Sequence, residues 1–165
     1  MLTVAEIRNR VATELQAALG FELEKRPRLK LTKRINPETE VFFYPGASKK
    51  RGELRLDPVI GVENLVLRER LRSNGWKGGG TAVCHAYLGM LDSWGHLVVH
   101  SEAELDKVAT RVVRSVKEVG LPIMMNFDSL DKVVELYEDT LAHHVNKWQV
   151  AVLFAKEKLA VLRTN

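Results

Sequence analysis

The sequence predicts an α+β fold: a single domain over 1–165, with about five strands in one antiparallel sheet, an N-terminal helix, and C-terminal helices packed on the sheet. Three observations predict it. Strand-like segments with period-two alternation crowd the first hundred residues. Segments with helical periodicity fill the remainder. Both long helical stripes follow a capping box, Thr3-x-x-Glu6 and Ser101-x-x-Glu104.

In chain order, residues 3–19 read as a helix. Val4, Ile7, Val11, Leu15 and Ala18 make its apolar stripe, and Gly20 ends it. Strands follow at 29–34, 38–44 and 52–57. Leu29 and Leu31 alternate with Lys30 and Thr32; Thr39, Val41 and Phe43 alternate with Glu40, Phe42 and Tyr44; Leu54 and Leu56 alternate with Glu53 and Arg55. Asn36-Pro37 and Pro45-Gly46 separate them as turns. A short helix is expected from Val62 to Arg72, closed by Asn74-Gly75. A fourth strand is expected over 81–91 and a fifth over 96–100, joined as a hairpin by Ser93-Trp94-Gly95. The helix over 101–119 carries Leu105, Val108, Ala109, Val112, Val113 and Val116, and stops at Gly120. "LPIMMNF" reads as an extended connector because Pro122 opposes helix continuation. Asp128 or Ser129 caps a helix bearing Leu130, Val133, Val134, Tyr137 and Leu141. His143 to Asn146 reads as a break, and Trp148, Val152, Ala155 and Leu159 suggest a last helix.

Composition narrows the classes of function. No apolar stretch of membrane-spanning length occurs, and the first ten residues carry charges where a secretory signal would be apolar. Cys84 is the lone cysteine, so no internal disulfide is expected. The cytoplasm is the expected location. The net charge of +4 is concentrated in Lys25, Arg26, Arg28, Lys30, Lys33 and Arg34, and again in Lys49-Lys50-Arg51. These runs would serve a nucleic-acid-binding module, but no nucleic-acid-binding signature accompanies them.

Four groups of residues could carry chemistry. In "GWKGGGTAVCHAYLGML", Lys77 precedes the three glycines and a strand follows, so the Walker order of loop, lysine and helix is missing. These glycines are expected to permit positive φ or a bulge. His85, His96 and His100, with Tyr87, fall on one face of the expected hairpin. A small metal- or histidine-dependent hydrolase would need such a cluster, although no carboxylate joins it there. Cys84 points away from His85 on a strand and into an apolar row, so it is expected to be an inert core residue. The outward face of the sheet should carry Lys30, Glu40, Phe42, Tyr44, Arg55 and Tyr87. Aromatic residues mixed with arginine are enriched in protein interfaces.

Three pieces, "LQAALGFELEKR", "EVFFYPGASKKRGELRLDPVIGV" and "LDKVATRVVRSVKEVGLPIMMNFDSLDKVVELY", carry a resemblance that spans most of the chain. In it the sequence is similar to a bacterial α+β family known only as a domain of unknown function, whose members resemble immunity proteins of polymorphic toxin and contact-dependent growth-inhibition systems. The resemblance implies a cytoplasmic, non-enzymatic protein that binds and neutralises the C-terminal domain of a cognate toxin, expected to be a nuclease. It implies no catalytic residue, metal, cofactor, small-molecule substrate or membrane. The candidate contacts come from the outward face itself: Phe42, Tyr44, Arg55 and Trp76 as anchors, with Lys49, Lys50 and Arg51 at the rim. The acidic helix bearing Glu135, Glu138 and Asp139 is an alternative contact for a basic toxin.

Overall fold

A computed structural model describes residues 2–24, 29–143 and 148–164. The fold is α+β, with strands early and helices late. Helix α1 (Val4–Leu19) opens on the expected capping box: the Thr3 side chain accepts from the Glu6 amide, and the Glu6 carboxylate accepts from the Thr3 amide. Gly20, left-handed at φ 66°, closes it. Lys33 donates to the Leu19 carbonyl at 2.6 Å and satisfies one of the helix's last acceptors.

Eight strands follow: β1 (Glu22–Glu24), β2 (Lys30–Asn36), β3 (Thr39–Tyr44), β4 (Ala47–Lys50), β5 (Glu53–Leu56), β6 (Val59–Asn64), then β7 (Cys84–Tyr87) and β8 (Leu97–Val99). They form two antiparallel sheets, a five-stranded one ordered β1-β2-β3-β6-β7 and a three-stranded one ordered β4-β5-β8. The two sheets are joined through one long bent hairpin. β3 runs into β4 through Pro45-Gly46, and β5 runs into β6 through Asp57-Pro58. At the bend the Asp57 amide donates to the Gly46 carbonyl at 2.6 Å. A side chain at Gly46 would place Cβ 2.3 Å from the Asp57 carbonyl oxygen, so the bend needs glycine there.

Five expectations are corrected. The segment read as a helix from Val62 to Arg72 is strand β6 followed by helix α2 (Leu65–Ser73). β6 is an interior strand, paired on both sides, so its apolar run shows no alternation and resembles a buried helix. The strand over 81–91 shrinks to β7, because residues 88–91 form a single helical turn, α3 (Leu88–Leu91). β7 pairs with β6 and β8 with β5, so the hairpin expected from 81 to 100 does not form. The connector after residue 115 is helical, not extended. Helix α4 (Glu102–Ser115) passes into a π-helical segment (Val116–Gly120) and then α5 (Leu121–Met124). The Leu121 amide still reaches the Val116 carbonyl across the wider π turn, and Pro122 then sits in the first turn of α5, where its missing N–H is not needed. Trp148 lies outside the last helix, α7 (Ala155–Arg163), and packs edge-on against Phe127 instead. Helix α6 (Leu130–His143) lies where expected; His143, read as the first residue of a break, instead ends this helix, and the rest of that break, 144–146, falls outside the described residues.

Residues opposite each other in a ladder share a face. One face of the five-stranded sheet presents Leu31, Val41, Phe43, Ile60, Val62, Cys84 and Ala86, all buried at 5% exposure or less. The apolar stripes of α1 (Ile7, Val11, Leu15) and α4 (Leu105, Ala109, Val112), together with Val116, belong to the same core. Thr39 joins it through a hydrogen bond to the Asp128 carbonyl at 2.9 Å. Among the described residues no helix is long and apolar enough to cross a membrane.

Candidate docking surface

The opposite face of the five-stranded sheet carries Thr32, Arg34, Glu40, Phe42, Tyr44, Val59, Gly61, Glu63, His85 and Tyr87. The pairs Phe42–Gly61–His85 and Tyr44–Val59–Tyr87 define two cross-strand rows. Most of these side chains are half-exposed, and Tyr87 is exposed. The face expected to point outward from the alternation therefore does so.

Phe42 departs from that expectation. It is buried, because Gly61 opposite it has no side chain and lets the ring lie flat on the sheet. The Lys30 ammonium sits 5.5 Å above the ring, and Tyr44 packs edge-on at 5.5 Å. Phe42 is thus covered by its own neighbours rather than presented as an anchor. Lys30 is held by Glu24 at 3.1 Å and lies 3.9 Å from Glu63, while Arg68 bridges Glu63 at 2.9 Å. Of the first basic run, Lys25, Arg26 and Arg28 fall outside the described residues. Lys30 and Lys33 are engaged within the fold, and Arg34 donates to the Pro37 carbonyl.

The open face continues past the bend. On the three-stranded sheet the alternation puts Ser48, Lys50, Glu53, Arg55, Asp57, His96, Val98 and His100 outward, while Leu56 and Val99 are buried beneath. Arg55 chelates the Glu53 carboxylate at 2.8 and 3.2 Å, and this hydrogen bonding holds Glu53 below the usual carboxylate range. At the bend the two faces enclose a groove of about 630 Å³, with Ser48, Asp57 and His96 on one side and Val59, Tyr87 and Met90 on the other. Beyond it, Lys49 and Lys50 at the end of β4 and Arg51 in the β4–β5 turn are all exposed, Lys50 on the outward face and Lys49 on the opposite one. Arg51 (φ 52°) and Gly52 (φ 85°) form a two-residue turn with both φ angles positive.

Of the seven residues expected to contact a partner, six therefore lie on this bent sheet or its turn: Tyr44 half-exposed, Phe42 buried, Arg55 paired, and Lys49, Lys50 and Arg51 exposed. Trp76 does not join them. It lies in the loop after α2, edge-on to Phe154 at 5.6 Å, with its indole nitrogen buried and unbonded among the described residues. That loop also holds Gly78 to Gly80, none of which adopts positive φ. Gly78 is needed for a different reason: a Cβ there would sit 2.5 Å from the Trp76 ring. The histidines share the open face, as expected, but not one sheet. His85 is on β7 in the larger sheet, whereas His96 and His100 flank β8 in the smaller. Among the described residues no three His, Cys, Asp or Glu side chains group so as to hold a metal ion.

A second polar cluster escaped the sequence reading. Lys158 of α7 is 1% exposed, and its ammonium donates to the Ala82 carbonyl at 2.6 Å. Tyr137 of α6, fully buried, faces the Val83 carbonyl at a longer 3.5 Å. The chain approaching β7 has few ladder partners here, so two helices supply the missing donors. Burial lowers the Lys158 pKa to about 8, against opposing pulls from Cys84 and Glu63. Burial also pushes the Cys84 thiol and the Tyr137 hydroxyl up, and burial with the nearby Lys158 lowers His85. The signal was present in the sequence: Ala155, Lys158, Leu159 and Leu162 keep one helical stripe, with a lysine at a core position. Cys84 is buried as expected. Comparison of the chain with protein-family models, with curated proteins and with solved structures returned no match.

Proposed function

We propose that this chain is a cytoplasmic, non-enzymatic immunity protein, which neutralises a cognate toxin domain by docking it on the open face of the bent sheet. The observation that carries the reading is the continuity of that face. Half-exposed Tyr44 and exposed Tyr87 share a row, an open groove follows at the bend, and exposed Lys50 and Arg51 stand beyond it. A surface with aromatic residues at its centre and charge at its rim suits protein recognition, where central aromatics supply affinity and rim charges set the association rate. Inhibition by docking asks no bond-making of this chain.

The test is co-expression with the toxin domain encoded by the adjacent reading frame, read as surviving colonies, together with a binding measurement on the purified pair. Wild type should protect and bind. Tyr44→Ala with Tyr87→Ala should cost about 2 kcal/mol or more of binding energy. Absence of any protection by the folded wild-type chain would refute the immunity role. Full protection by the folded double variant would refute the surface.

A further inference from the structure

The bend unites two features that are far apart in the sequence, an apolar hollow and a set of unpaired cations. Tyr87 and Met90 line the hollow and are 53% and 61% exposed, a large opening for two apolar side chains beside one another. Lys50 and Arg55 continue the same outward face and Arg51 extends from its tip, whereas Lys49 pairs with Leu54 and falls on the other side of the strand. Between residues 46 and 58 stand four cationic side chains and two carboxylates, one of which, Glu53, is already engaged by Arg55. Among the described residues Lys49, Lys50 and Arg51 have no acidic partner. Arg51 also occupies a left-handed position that asparagine or glycine fills more easily. A cation is thus kept at the tip of the turn against local backbone preference.

We propose that the groove takes an extended acidic segment of the partner protein. One aliphatic or aromatic side chain of that segment seats between Tyr87 and Met90, and its carboxylates meet Lys50 and Arg51. The inference rests on the docking role proposed for this face and adds the chemistry of its occupant. A polypeptide fits better than a nucleic acid. Val59, Tyr87 and Met90 offer apolar area that a phosphate chain cannot use. An acidic occupant also accounts for a basic inhibitor: the docking segment need not be the catalytic surface of the toxin.

The experiment uses a library of random dodecapeptides displayed on phage, selected against the purified chain, with affinities of the enriched peptides measured at two salt concentrations. Enriched peptides should share an aliphatic or aromatic residue flanked by aspartate or glutamate, and their affinity should fall as salt rises. Tyr87→Ala with Met90→Ala should weaken them at least about tenfold. Lys50→Glu with Arg51→Glu should weaken them and flatten the salt dependence. Lys107→Glu, an exposed change on α4, should do neither. All variants are first checked for wild-type thermal midpoints. The proposal is overturned if no peptide is enriched, if basic peptides are enriched, if the groove variants bind like wild type, or if a labelled single-stranded oligonucleotide binds the turn more tightly than any peptide. Loss of peptide binding with retained protection against the toxin would overturn the acidic segment alone. Peptide binding without protection would overturn the immunity role alone.

Discussion

Replacing Lys158 by methionine should remove a pH dependence from the stability of the fold. The ammonium is enclosed and satisfied by one carbonyl, that of Ala82. Desolvation dominates over the attraction of Glu63 and Cys84, and the folded-state pKa falls from 10.5 to about 8. The unfolded chain therefore binds more protons than the folded one between pH 8 and 10.5. Stability contributed by this group rises with pH through that window. At pH 7 the charged lysine costs roughly 3 kcal/mol relative to its high-pH limit, at about 1.36 kcal/mol per pKa unit. Between pH 7 and pH 9 the linkage relation returns roughly 1 kcal/mol of it.

Methionine matches the unbranched stem and carries no charge. It abolishes the proton linkage but leaves the Ala82 carbonyl without its donor, a loss of about 1–3 kcal/mol. The variant should thus lie near wild type at pH 7 and fall behind it at pH 9. The assay is urea unfolding of both proteins at the two pH values. The Cys84 thiol and the Tyr137 hydroxyl are pushed up by burial, so each draws stability down as pH rises past its unfolded value. Both remain in the variant, and the difference between the two profiles isolates Lys158 to a first approximation. With a urea m-value of about 2 kcal/mol/M, the expected divergence is about 0.5 M in midpoint. Parallel profiles would refute the reasoning and show that the ammonium is hydrated in solution.

Three further outcomes are expected. Cys84 should not react with a thiol reagent in the native protein and should react fully in urea, and Cys84→Ala should cost about 1 kcal/mol in unfolding experiments. Gly46→Ala should destabilise by about 1–3 kcal/mol, because its Cβ must displace the Asp57 carbonyl from 2.3 Å at the bend; a wild-type thermal midpoint would contradict that contact. Arg51→Asn should raise stability by about 0.5–1 kcal/mol by relieving the left-handed arginine, while slowing association with the toxin domain in stopped-flow mixing. Unchanged association would remove Arg51 from the rim.

The outward face was legible because alternation is a local property. Glu40, Phe42 and Tyr44 had to share a side once Val41 and Phe43 were assigned to the core, and the ladder bears this out. Phe42 shows where alternation stops: it fixes the side a residue points to, whereas the burial of that ring depends on Gly61, nineteen positions away and in a strand whose second half, from Val62, reads as helix. The same strand hid the bend. With β6 misread, β5 had no continuation across from β3, and a single flat sheet was the simplest arrangement of the remaining strands. With β6 in place, Asp57-Pro58 stands opposite Pro45-Gly46, two turn-like dipeptides facing each other in one hairpin. Two such breaks at the same level let a hairpin turn a corner without losing its ladder. The groove forms at that corner, where Tyr87 from β7 and His96 from before β8 meet although no strand pairing connects them. Residue patterns along the chain can therefore nominate the wall of this site, but the hollow is a product of the corner, and the corner is set by a contact between two segments rather than by either alone.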